Sequence, residues 1–164
     1  MTTTINESPD VQSVLDLKAA LEALPSSSRF SQAEIDTIYA MAYQLVLQGR
    51  YETAGQYFSL LTLYRPTNVD YLQGLALCQQ KLERYEQALN IYAFLAVTDP
   101  ENMDHEIAIA ECLMLQSDFA EARKTVDSIL QYCRESGQAP ASGQRAQVLK
   151  ERIDARPTAS IAGD

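Results

Sequence analysis

The residues best equipped for chemistry in this 164-residue chain are few: His105, the cysteines Cys78, Cys112 and Cys133, and carboxylate pairs such as Glu83 and Glu86. A nucleophile needs a base within reach and a third group to orient that base, and a single histidine leaves such a constellation incomplete. His105 opens a helical segment, where a solvent-facing or capping role is the expectation. No pair of cysteines or histidines has the spacing of a zinc site, and neither a glycine-rich phosphate loop nor a Gly-x-Ser-x-Gly elbow occurs. The cysteines are odd in number and lack a CxxC step, so they read as buried thiols in a reducing compartment. Glu83 and Glu86 fall on a turn, where solvated charge is the ordinary explanation. The sequence therefore predicts no enzyme, no catalytic residue, no metal and no cofactor.

The chemistry that remains is recognition, and its most visible residues are Tyr39 and Tyr43, one helical turn apart and followed by Leu47. What positions them is a repeat. Gly49-Arg50-Tyr51-Glu52-Thr53-Ala54 returns as Glu83-Arg84-Tyr85-Glu86-Gln87-Ala88 and as Ser117-Asp118-Phe119-Ala120-Glu121-Ala122. The same step of about 34 residues carries Pro66 to Pro100, Asp36 to Asp70 and Asp104, and Met41-Ala42 through Leu75-Ala76 to Ile109-Ala110, and this is the tetratricopeptide signature. Ala42, Ala76 and Ala110 are expected where the first helix of each repeat crosses the second, with Ala54, Ala88 and Ala122 facing them. Tyr51, Tyr85 and Phe119 are expected to fill the space beside the turn. Pro66 and Pro100 end second helices, because proline cannot continue the backbone ladder. The third copy has Arg134 at that position, so its second helix is expected to run on towards Ser136-Gly137.

The predicted architecture is all-α: three tandem tetratricopeptide helix pairs in a right-handed superhelix, with an N-terminal helix and a C-terminal capping helix. Residues 1–9 read as a flexible start and 10–30 as the N-terminal helix and its linker. Residues 31–136 hold the repeats (about 35–68, 69–102 and 103–136), 137–156 a joint and final helix, and 157–164 a disordered tail. The helices are expected at 34–48, 51–64, 69–82, 85–98, 103–116 and 119–134, the first capped by a Ser31–Glu34 capping box, and the last helix at 144–156. Val11, Val14, Leu15 and Leu21 form an apolar stripe on the N-terminal helix and are the candidates for dimerisation.

In such a stack the first helix of each repeat lines the inner face. The groove candidates are Tyr39, Tyr43 and Leu47 from the first copy, Asp70, Gln73, Gly74 and Leu77 from the second, and Ile107, Ala108 and Glu111 from the third. Gly74 and Ala108 are expected to leave recesses that a leucine or proline side chain could enter. None of these positions is basic, so an acidic tail finds no partner, and Asp70 and Glu111 repel it. The guest is expected to be extended, uncharged or mildly basic, and apolar at intervals.

The formal net charge of −9 disfavours phosphate backbones and anionic lipid, so neither nucleic acid nor direct membrane binding is expected. Met1 to Asp10 has no basic residue and no apolar stretch, unlike a secretory leader, and no run approaches the roughly 18 apolar residues of a membrane span. A cytoplasmic location is the expectation.

Ile38-Tyr39-Ala40-Met41-Ala42-Tyr43, Tyr71-Leu72-Gln73-Gly74-Leu75 and Ala110-Glu111-Cys112-Leu113, behind an N-terminal helix, resemble the class II chaperones of bacterial type III secretion systems. The resemblance covers roughly residues 10 to 150. It implies a cytoplasmic bacterial chaperone that holds hydrophobic translocator proteins soluble and secretion-competent, taking an extended translocator segment in its groove. It also implies groove roles for Tyr39 and Tyr43, and dimerisation through the N-terminal helix or first repeat. Where the family often has a third aromatic, this chain has Leu47. The alternatives are a general tetratricopeptide adaptor or a needle-subunit chaperone of the same secretion machine.

Overall fold

Ser31 opens the first well-defined helix through the reciprocal pair the sequence predicts. The Glu34 N–H donates to Ser31 Oγ (3.4 Å), and the Ser31 N–H donates to Glu34 Oε2 (2.8 Å). The computed structural model describes residues 12, 15, 16, 19, 20, 30–137 and 140–155. Its helices are α1 (Gln32–Leu47), α2 (Tyr51–Tyr64), α3 (Val69–Lys81), α4 (Tyr85–Thr98), α5 (Asp104–Leu115), α6 (Phe119–Ser136) and α7 (Pro140–Asp154). No strand occurs among the described residues. The chain divides into two compact units, Met1–Pro100 and Glu101–Asp164.

The turn inside each helix pair follows from backbone hydrogen bonding. After α1, the Arg50 N–H donates to the Leu45 carbonyl and the Gly49 N–H to the Val46 carbonyl, both at 2.9 Å. That is a Schellman closure, which needs a left-handed residue just past the helix. Gly49 takes that conformation at φ 72°, and its repeat partners Glu83 (φ 61°) and Ser117 (φ 67°) take it too, although neither is glycine. The same two bonds recur there, from Arg84 to Gln79 and Glu83 to Gln80, and from Asp118 to Leu113 and Ser117 to Met114. The joint between the first two pairs is set by proline instead. Arg65 (φ −136°, ψ 79°), directly before Pro66, is pushed out of the helical region, and Asp99 (φ −137°, ψ 66°) before Pro100 likewise. With Arg134 in place of proline, α6 does continue to Ser136 and ends on Gly137 at φ 64°.

In the first unit α1 packs on α2, α2 on α3, α3 on α4, and α1 also touches α3. The crossing alanines Ala42, Ala54, Ala76 and Ala88 are fully buried, so the helices approach to backbone distance there. Ile35, Phe58, Leu61, Tyr71 and Cys78 complete that core. In the second unit α5, α6 and α7 pack mutually around Ile107, Ala110, Met114, Ala122, Val126, Ile129, Ala146, Leu149 and Ile153.

Three expectations need correction. The final helix begins at Pro140, not at residue 144. Proline suits a first helical position, where its missing N–H has no intrahelical partner to lose. His105 is neither solvent-facing nor a cap: it is 1% exposed. It lies on the same helical stripe as the buried Cys112, two turns on, and its repeat partner Tyr71 is buried as well. Ile107 belongs to the core of the second unit, where Leu149 and Ile153 of α7 join it, so it lines no open face. The dimerisation candidates Val11, Val14 and Leu21 lie outside the described residues, whereas Leu15 is helical and 41% exposed.

Candidate functional site

Within the first unit, the face of α1 and α3 collects most of the expected groove residues. Tyr39 is half-buried: its ring meets Phe58 edge-on at 6.1 Å between centroids, and Tyr71 at 5.5 Å with a tilt of 42°. Such aromatic contacts fix a ring's orientation beyond what area alone does. Tyr39 therefore serves as a wall anchored in the core rather than a free side chain. One turn on, Tyr43 is 51% exposed, and Leu47 beyond it 64% exposed. On α3, Asp70 is exposed, while Gln73 and Leu77 are half-buried.

Gly74 does not leave the recess expected of it. The Phe58 ring occupies the space, and a Cβ on Gly74 would stand 2.3 Å from Phe58 Cε1. The glycine is needed for close helix packing, and the ring it admits is the one that steadies Tyr39. In the second unit Ala108 and Glu111 are half-buried.

Burial pushes the Tyr39 phenol above its ordinary range, and the Asp70 charge adds to the shift. Burial does the same for Tyr71; Arg65 works against it, while Asp36 and Asp70 both add to it. Both phenols are thus neutral at physiological pH and keep an O–H to donate. Asp36 is exposed and accepts a hydrogen bond from Gln32 Nε2 (2.6 Å); Gln32 Oε1 in turn accepts from Arg65 Nη2 (2.7 Å). Asp104, at the matching position of the third repeat, behaves differently. It accepts from Arg145 Nη1 at 2.7 Å and from Ser142 Oγ at 3.4 Å, both on α7.

Some features escaped the sequence reading. Met41 is exposed beside the crossing alanine Ala42, although its partner Leu75 in the next repeat is half-buried. A separate cleft in the first unit is floored by Gly55 and Gln79, flanked by Leu60, Leu63 and Leu82, and bordered by the Arg84–Glu52 ion pair (2.9 Å). None of the expected groove residues lines it. Among the described residues no group of histidines, cysteines and carboxylates is placed to hold a metal ion, and no helix is long and apolar enough to cross a membrane. Burial holds the thiols of Cys78 and Cys112 up at about 11, in keeping with inert core side chains.

A tetratricopeptide-repeat family model matches residues 35–68 and 69–102. No curated protein matches the sequence. Among solved structures, PcrH in complex with the chaperone binding region of PopD is 26% identical, with a TM-score of 0.68 over 78% of this chain and 96% of that one. PcrH from Pseudomonas aeruginosa on its own is 25% identical, with a TM-score of 0.68 over 80% of this chain and 100% of that one. The chaperone SycD of Yersinia enterocolitica, in complex with a peptide of the translocator YopD, is 23% identical, with a TM-score of 0.66 over 77% of this chain and 97% of that one. The chain carries tetratricopeptide repeats, and over most of its length it is similar to the class II translocator chaperones of type III secretion.

Proposed function

We propose that this protein is a non-enzymatic chaperone of the bacterial cytoplasm. It binds an extended segment of hydrophobic translocator proteins and keeps them soluble and secretion-competent. The observation that carries this reading is the exposed Tyr43–Leu47 strip beside the core-anchored Tyr39, on a chain whose structural neighbours bind translocator segments. An aromatic and an aliphatic side chain left half or more in water are the kind of surface a partner covers. Asp70, Gln73 and Leu77 on the adjacent helix complete the contact surface we assign in the first unit. Acidity suits the role, because a carrier at −9 keeps a complex with an apolar client dispersed.

Affinity purification from the native cytoplasm, with mass spectrometry, should recover a protein with long apolar segments. Titration with a peptide from that protein should then show Tyr43→Ala binding roughly tenfold more weakly, as expected for a central aromatic anchor, with an unchanged helical circular dichroism spectrum. Unchanged affinity would remove Tyr43 from the site. Recovery of a small helical subunit instead would favour a needle-subunit chaperone.

A further inference from the structure

Three aspartates stand one repeat apart, and only the third has its cation. Asp104 is closed by the Arg145 guanidinium at 2.7 Å. Among the described residues Asp36 and Asp70 have no ion pair: Asp36 takes only the neutral Gln32 amide, and both carboxylates are exposed. Both act on one spot, since each raises the Tyr71 phenol, and Asp70 also raises Tyr39. Arg65 is the nearby cation of the chain itself, and its guanidinium is engaged by Gln32 Oε1 rather than by either acid. The acids lie near the N-terminal ends of α1 and α3, and the apolar Tyr43, Leu47 and Leu77 lie towards the C-terminal ends. The face is therefore graded, acidic at one end and apolar at the other.

We propose that Asp36 and Asp70 select the guest by charge: the extended segment bound on this face carries an arginine or lysine that seats between them, with its apolar anchors on Tyr43 and Leu47. The inference rests on the chaperone reading above and adds to it a direction and a sequence requirement. Arg145 on Asp104 is the chain's own example of a guanidinium at this repeat position, and planar guanidinium–carboxylate pairing explains why arginine suits it better than lysine. Two open carboxylates give no such welcome to an acidic or merely apolar segment.

The test uses the full chain and fluorescein-labelled 12-residue peptides of alternating leucine, proline and serine. Arginine is walked through each position, with citrulline as its neutral isostere and glutamate as the reversed charge. At low salt, fluorescence anisotropy should find a position where arginine binds roughly fivefold tighter than citrulline, a gain of the size expected from solvent-facing pairs, and where glutamate binds worst. That preference should shrink at 300 mM salt and vanish in the Asp36→Asn/Asp70→Asn double variant, which keeps its helical spectrum. Equal binding of arginine and citrulline at every position, or a preference that survives the double substitution, overturns the charge selection. Peptides that bind, weaken with Tyr43→Ala and yet ignore charge would sink this inference alone; absence of binding by every peptide would count against both readings.

Discussion

At the scale of single residues, Gly74 shows how a position that looks like a vacancy in sequence serves as a contact. Only hydrogen at that site lets the Phe58 ring in, with 2.3 Å between the missing Cβ and Cε1. Gly74→Ala should therefore destabilise the first unit by about 1–3 kcal/mol, the range for overpacking, read as a lower midpoint in urea. Because Phe58 steadies Tyr39, the same change should weaken peptide binding, and adding Phe58→Leu should restore part of both losses. The buried thiols offer a second residue-scale expectation. Cys78 and Cys112 are raised from 9.0 to about 11 by desolvation, so the folded state retains protons that the unfolded chain has lost. Their contribution is intact below pH 9 and lost as pH rises towards 11. Unfolding measured from pH 8 to 11 should show stability falling over that window, and the fall should be smaller in a Cys78→Ala/Cys112→Ala variant. Tyr43 and Leu47 were legible from their spacing alone, but the fates of Gly74, Ile107 and His105 were not. Those depend on which helix comes to lie against them, and a helical stripe does not name its partner. His105 was within reach through its repeat position, since Tyr71 and Cys112 share its stripe and are buried.

At the scale of elements, the repeat dictated nearly everything that the structure contains. The fully buried alanines, the proline-driven joints and the run of α6 to Ser136 all follow from backbone rules applied in register. The exception is informative. Pro140 opens α7 because proline breaks a helix from inside but not from its first turn, so a composition rich in proline, glycine and serine misread a helix start as a joint. The left-handed turn residue was also invisible, since Glu83 and Ser117 give no glycine signal. A side chain at positive φ costs roughly 1 kcal/mol relative to glycine. Glu83→Gly should accordingly stabilise the protein by about 0.5–1 kcal/mol, checked by thermal unfolding, while Gly49→Ala should lower stability by a similar amount.

At the scale of the molecule, we propose that the N-terminal stripe joins two copies of the chain, with Leu15, 41% exposed, as the residue within reach of a test. Leu15→Glu should lower the mass measured by light scattering after size exclusion, and a mass that did not change would retire the stripe as a dimer contact. The excess of Asp and Glu (22 against 13 Lys and Arg) carries a second consequence at this scale. Association with a basic guest should be faster at low ionic strength than at high, as stopped-flow mixing can measure, since long-range attraction acts on the encounter. The loss of proline at Arg134 reaches beyond stability. The cadence that places Pro66 and Pro100 is broken there, and α6 runs two residues past Arg134 before Gly137 ends it. A chain that grew by copying its own module has closed the reading of that module at this point. Any further duplication would have to be inserted upstream of Arg134, because nothing after it keeps the phase on which another copy could be joined.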